Sequence, residues 1–201
     1  MTTMARRTDS RRRILESAAE LFHTQGYHAT GLNQVVTASG APKGSLYFHF
    51  PGGKEQLAAE ALRMSGGDLR DVLGETVAGA PDPASAVDAV MDLLIGLLTA
   101  SAFQRGCPLA AVTLDAAADS EPIRLACAEG YDSWRTLLAD FFTEQGLAAD
   151  RADALATVVL ASIEGALLLA KARHDTAPLR AVADHLRTTL AKEFPRCAST
   201  T

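Results

Sequence analysis

Lys43, Ser45, Tyr47 and His49 fall within seven residues of one another, which crowds one cation, two hydroxyls and an imidazole onto the exposed side of a single short helix. An ammonium neutralises phosphate, and hydroxyl or imidazole groups hydrogen-bond its oxygens, so this set suits the backbone of a nucleic acid. Thr30 and Lys54, on either side of it, belong to the same chemistry. Pro42, Lys43, Gly44 and Ser45 stand at the front of that helix, where base edges are read, and Gly44 lets the backbone approach a groove closely. Gln34, on the element before, is placed to assist. Only Lys43 and Gln34 have the reach for the kind of contact that separates bases by about 1–3 kcal/mol. Backbone amides near Gly53 and Lys54, at the next helix start, add a candidate anion site. Tyr27 and Phe48 are assigned to packing.

Positioning these groups needs two short helices held at an angle. Thr30 is expected to cap the first, in which Leu32, Val35 and Val36 repeat at helical spacing, and Gly40 stops it. The second starts at about Pro42, where no backbone donor is required, with Leu46 and Phe50 turned to the core. A longer helix, from about Asp9 to Gln25, precedes them with Ile14, Ala18, Leu21 and Phe22 on one stripe. This is the layout of a helix-turn-helix reader of DNA. Arg6, Arg7 and Arg11 to Arg13 are either an arm reaching a phosphate or minor groove, or a solvated leader.

In order, Ile14 to Phe22, Gly26-Tyr27, Thr30, Ser39-Gly40, Tyr47-Phe48-His49-Phe50 and Lys54-Glu55 resemble the N-terminal domain of the tetracycline-repressor (TetR/AcrR) family. Pro51-Gly52-Gly53 is one residue longer than the commonest spacing, and with Gly106-Cys107-Pro108-Leu109-Ala110 it resembles the lincomycin-resistance repressor (LmrA/YxaF) subgroup. The resemblance implies phosphate roles for Thr30, Tyr47, His49 and Lys54.

A net charge of -5 alone would argue against nucleic acid, but residues 1–54 carry seven Lys or Arg against three acids, a balance of +4, leaving -9 on the rest. A basic head on an acidic body fits DNA contact on one face. Abundant alanine and leucine, 5% aromatics and no strand pattern predict an all-α chain of about nine helices. The division expected is a DNA-binding domain at residues 1–53 and a helical ligand-binding and dimerisation domain at 54–201. Cys107, Cys127 and Cys197 form no Cys-x-x-Cys pair and suggest a reducing cytoplasm. The longest apolar runs are expected to fall short of a membrane span of about 20 residues.

In the body, a fourth helix from Lys54 to about Leu73 contains Gly66-Gly67 and is expected to bend or fray there. A fifth follows the loop 78–84, a sixth follows Pro108, and Ser120-Glu121-Pro122 starts a seventh. Asp150 is expected to cap an eighth to about Arg173, and Pro178 opens a ninth. The eighth is apolar on more than one face, and small residues such as Ala161 and Gly165 admit a close partner. The family resemblance implies a dimer seam built from the last two helices, for which Leu160, Ile163, Leu167, Val182 and Leu186 are the candidates; the alternative is a central eighth helix buried within one subunit. It also implies a ligand pocket, with Met91, Leu94, Phe103, Cys107, Thr113, Tyr131, Trp134, Phe141 and Glu164 as candidate lining. Cys107 has only Arg105 near it in sequence to stabilise a thiolate.

The function expected is a homodimeric repressor that binds a near-palindromic operator and leaves it when a small apolar or aromatic molecule binds. No cofactor, metal, catalytic residue or membrane partner is expected. A helical enzyme is the alternative from another class, but His23, His28, His174 and His185 join no constellation of nucleophile, base and orienting group. A helical interaction module without DNA binding is a third reading, against which Lys43, Tyr47, His49 and Lys54 speak.

Overall fold

The computed structural model describes residues 2–194, with side chains from residue 9 onward. The described residues form nine α-helices and no strand: α1 Thr2–Gln25, α2 Leu32–Ser39, α3 Lys43–His49, α4 Gly53–Ala78, α5 Pro83–Ala100, α6 Ala110–Ala116, α7 Glu121–Glu144, α8 Ala149–Arg173 and α9 Ala177–Glu193. They divide into two compact units. The first comprises residues 1–68 and 107–131, the second residues 69–106 and 132–201. The expected cut at 53/54 differs from this division, because α6, the start of α7 and most of α4 cluster with the head.

In the first unit α1 carries α2, α3 and α6 against itself. Its buried stripe is Ile14, Leu15, Ala18 and Phe22, and Val35, Leu46 and Phe50 supply the facing side chains. Gly66 lies where α4 meets α7. A β-carbon built there comes within 3.7 Å of the Gly130 α-carbon, while one built at Gly130 would sit 2.5 Å from the buried Leu109. The two glycines therefore serve a close helix approach, and α4 runs unbroken past Gly66-Gly67 rather than fraying.

The second unit is a helical cluster in which α9 packs on both α5 and α8. Asp82 caps α5 by accepting a hydrogen bond from the Ser85 amide at 2.8 Å, and Pro83 occupies the first turn. The cap expected of Asp150 is absent. Ala148 holds that position and Asp150 sits in the first turn, favourably placed for the helix dipole. Contrary to the expectation from sequence, α5 and α8, of 18 and 25 residues, are long and apolar enough by length and composition to cross a membrane, each holding an 18-residue stretch with mean hydropathy 1.5 and 1.8 respectively. Both helices turn a buried row into the unit, Val87, Val90, Met91 and Leu94 on α5 and Ala152, Leu155, Val159 and Ile163 on α8, as core helices do.

Candidate nucleic-acid interface

Residues 32–49 form two helices joined by a tight turn. Gly40 adopts the left-handed backbone (φ 59°) that stops α2 and redirects the chain. Ser39 reinforces the turn, its hydroxyl donating to the Val36 carbonyl at 2.9 Å and accepting from the Ala41 amide at 3.2 Å. Arg13 reaches across from α1 to donate to the Ser39 carbonyl at 3.2 Å. In α3, Leu46 and Phe50 are buried as expected, which leaves Pro42, Lys43, Gly44, Tyr47 and Phe48 on the exposed side and Ser45 half-buried. Pro42 is the N-cap residue of this helix.

Two expectations are corrected here. Thr30 is neither the cap of α2, which is Gly31, nor an exposed phosphate partner. It is only 1% exposed, and its hydroxyl donates to the Gly26 carbonyl at 2.8 Å. The residue closes the turn after α1 instead, its amide also donating to the Tyr27 carbonyl at 3.2 Å. Phe48, assigned to packing, is instead 61% exposed, beside Tyr47 at 65%.

The remaining candidates are held by neighbours. His49 is half-buried, its Nε2 3.0 Å from the Ser10 hydroxyl of α1, a partner invisible to motif reading because it comes from 39 residues away. Gln34 is exposed and its amide donates to Gln25 at 3.2 Å. The Lys54 ammonium lies 4.4 Å from the Tyr27 ring centre, over its face. Burial lowers the Lys54 pKa, and Asp115 opposes that shift. Burial and the Glu55 carboxylate raise that of Tyr27. Tyr27 is thus a packing residue, as expected. Near the anion site expected at the start of α4, the Gly52 amide donates to Gln56 Oε1 at 2.8 Å and the Gly53 amide to the Phe50 carbonyl at 2.9 Å. Those two donors are already engaged.

Arg11 to Arg13 stand in no leader ahead of the first helix. They lie within α1, and Arg11 pairs with Glu60, Arg12 with Glu16 and Asp9, and Arg13 with Asp9. The side chains of Arg6 and Arg7, and Cys197, lie outside the described residues. Asp115 of α6 is a further residue that sequence reasoning missed. Its carboxylate accepts from the His28 amide at 2.8 Å, and its carbonyl oxygen lies 3.0 Å from His28 Nε2. It thereby ties α6 to the turn before α2.

The candidate pocket residues fall in both units. Cys107, Thr113 and Tyr131 belong to the first, where the Cys107 sulfur lies 3.8 Å from the Tyr131 hydroxyl. Thr113 hydrogen-bonds Cys127, whose thiol pKa burial nonetheless raises. Met91, Leu94, Phe103, Trp134, Phe141 and Glu164 belong to the second. Met91, Leu94, Trp134 and Phe141 are buried, Glu164 is half-buried, and Phe103 stacks on His174 with ring centres 5.4 Å apart.

Of the seam candidates, Ile163, Leu167 and Leu186 are buried within this one chain, and Leu160 and Val182 are half-buried. The large apolar side chains of α8 that remain exposed are Val158, Leu168 and Leu169, at 57%, 57% and 55%. Ala161 and Gly165 are exposed between them.

Comparison with known proteins gives the same reading. Residues 14–61 match the model for bacterial regulatory proteins of the tetR family, and residues 83–185 match the LmrA/YxaF-like C-terminal domain of transcriptional regulators. The chain is 40% identical over 171 residues to the HTH-type transcriptional regulator LmrA of Bacillus subtilis, covering 85% of this chain and 91% of that protein. It is 36% identical over 190 residues to the HTH-type transcriptional regulator YxaF of the same organism, covering 94% and 100%. The fold is similar to a crystal structure of a TetR regulatory protein from Rhodobacter sphaeroides, with a TM-score of 0.79 at 22% identity over 88% of this chain and 96% of that one. The exposed α3 row on a glycine-turned helix pair, joined to these matches along both parts of the sequence, makes the chain a member of the TetR family of DNA-binding transcriptional regulators, with an LmrA/YxaF-like C-terminal domain.

Proposed function

We propose that this regulator is a homodimeric repressor in the cytoplasm, bound to a near-palindromic operator and released by a small apolar or aromatic molecule. The observation that carries the operator reading is the exposed row of α3, with Lys43, Gly44, Tyr47 and Phe48 lying outside the core that holds Leu46 and Phe50. Lys43 neutralises phosphate, Tyr47 and Ser45 hydrogen-bond its oxygens, and Pro42, Lys43 and Gly44 enter the groove. Gln34 assists from α2. His49, held by Ser10, and Lys54, over the Tyr27 ring, are further phosphate partners. Residues 1–53 carry the DNA contact and residues 54–201 the ligand and dimer functions.

Two copies must present their heads to half-sites about one helical turn, roughly 34 Å, apart. The exposed stripe Val158, Ala161, Gly165, Leu168 and Leu169 on α8 supports the dimer reading, with the half-buried Leu160 and Val182 at its margin. A ligand that favours a head spacing unlike the operator's shifts the population away from the bound state. Within the second unit, the apolar Met91, Leu94, Trp134 and Phe141, with the polar Glu164, support an apolar or aromatic inducer.

The test is fluorescence anisotropy of the full chain on DNA upstream of its own gene at two salt concentrations, with Lys43→Ala and Tyr47→Ala as controls. Tight, salt-dependent binding weakened by both changes is expected. Affinity no greater than for unrelated DNA, there and across a random-sequence selection, would sink the reading. For the inducer, a compound that raises the melting temperature yet leaves operator affinity unchanged is ruled out.

A further inference from the structure

We propose that Phe48 is a base-reading residue whose exposed ring receives the C5-methyl group of a thymine in the major groove. The inference rests on the DNA-binding reading of α3 and adds the chemistry of one recognised base. A phenyl ring offers no hydrogen-bond donor, so phosphate contact gains it nothing, yet the fold leaves it 61% exposed on the seven-residue helix aimed at DNA. The major groove presents one apolar group, the thymine methyl, and phenylalanine is among the side chains that suit it.

The surroundings favour this use. Lys43 and Tyr47 share one row of α3 and Gly44 and Phe48 the adjacent row, each pair four residues apart. Among the described residues, nothing beyond the helix's own backbone and the neighbouring residues approaches within 4 Å of the place a Gly44 β-carbon would occupy, so a base edge can enter beside the glycine and meet the ring one turn further on. The ring is also held: its centre lies 5.1 Å from that of His49 in an edge contact at 79°. His49 is in turn anchored by Ser10 on α1 at 3.0 Å. A pre-oriented ring loses little freedom on binding, which suits discrimination between a methyl and its absence.

The experiment first selects the operator from random duplex DNA with the full-length wild-type protein. Each thymine of that operator is then replaced in turn by deoxyuridine, which removes only the methyl group. Anisotropy titrations follow with wild type, Phe48→Ala and Phe48→Gln, each checked by thermal melting. The wild type is expected to lose about fourfold in affinity at one thymine of each half-site, the worth of one buried methyl. Both variants should be indifferent to uracil there while keeping the salt dependence. Equal uracil sensitivity in wild type and variants, or a wild type indifferent at every thymine, overturns the inference while leaving DNA binding intact. A wild type that selects no sequence at all overturns the DNA reading and this inference with it.

Discussion

A threonine ahead of a helix can satisfy its hydroxyl in several ways, and Thr30 takes an internal one, donating to Gly26 rather than facing a phosphate. Replacing it with valine removes the donor and leaves the part-buried Gly26 carbonyl without that partner, at a cost of about 1 kcal/mol. Thr30→Val should therefore lower the melting temperature without changing the salt dependence of DNA binding, whereas Thr30→Ser should retain most of the stability. Lys43 is the opposite case. It is exposed, and Lys43→Ala should reduce the log–log salt slope by about 0.9 for each phosphate the ammonium neutralises, with little change in melting temperature. Titrations at several salt concentrations check both. The exposure of Phe48 was legible in the helix period, since 100° per residue places it about 200° from both Leu46 and Phe50. Phenylalanine's apolar character favours the core and so opposes that angle. The partner of His49 was not legible, because Ser10 is distant in sequence and arrives only when α1 packs on α3.

Two adjacent glycines inside a predicted helix pointed to a weak spot, yet α4 continues through both. The reason lies in a second element: Gly66 gives α7 room at Gly130, while Gly67 faces open space. The two should consequently respond differently to substitution. Gly67→Ala gains helix propensity without a clash and should stabilise the chain by about 0.5–1 kcal/mol. Gly130→Ala drives a β-carbon to 2.5 Å from the buried Leu109. Overpacking of this kind costs about 1–3 kcal/mol, so the same gain in propensity should be cancelled or exceeded. Chemical denaturation of the two variants beside wild type checks the contrast; a Gly130→Ala protein stabilised as much as Gly67→Ala would refute the close approach. Helix number, order and most ends were readable from caps, prolines and apolar period. The caps of α2 and α8 were not, since Gly31 and Ala148 have the right backbone but no side chain that announces it.

For the whole molecule, apolarity on several faces of α8 indicated a partner without telling which face meets it. Ile163, Leu167 and Leu186 were seam candidates through the family resemblance, and the fold of a single chain buries them, leaving Val158, Leu168 and Leu169 outside. Two outcomes follow for the proposed dimer. Leu168→Glu should yield a monomer in sedimentation experiments while the chain stays folded, and its operator affinity should fall because the two half-sites are no longer bound together. Leu186→Ala should instead cost about 2–5 kcal/mol of stability, as a cavity in a packed core usually does. A Leu168→Glu protein that remains dimeric would place the seam elsewhere. The sequence by itself determined the all-helical class, the helix-turn-helix with its exposed cation and tyrosine, and the family, because these depend on local period, turn chemistry and short-range motif. Only the tertiary structure decided that Thr30 faces inward, that Asp115 holds the turn before α2, and which leucines of α8 remain exposed. Those outcomes depend on which surfaces of distant segments meet, and burial is a property of that meeting rather than of any residue alone.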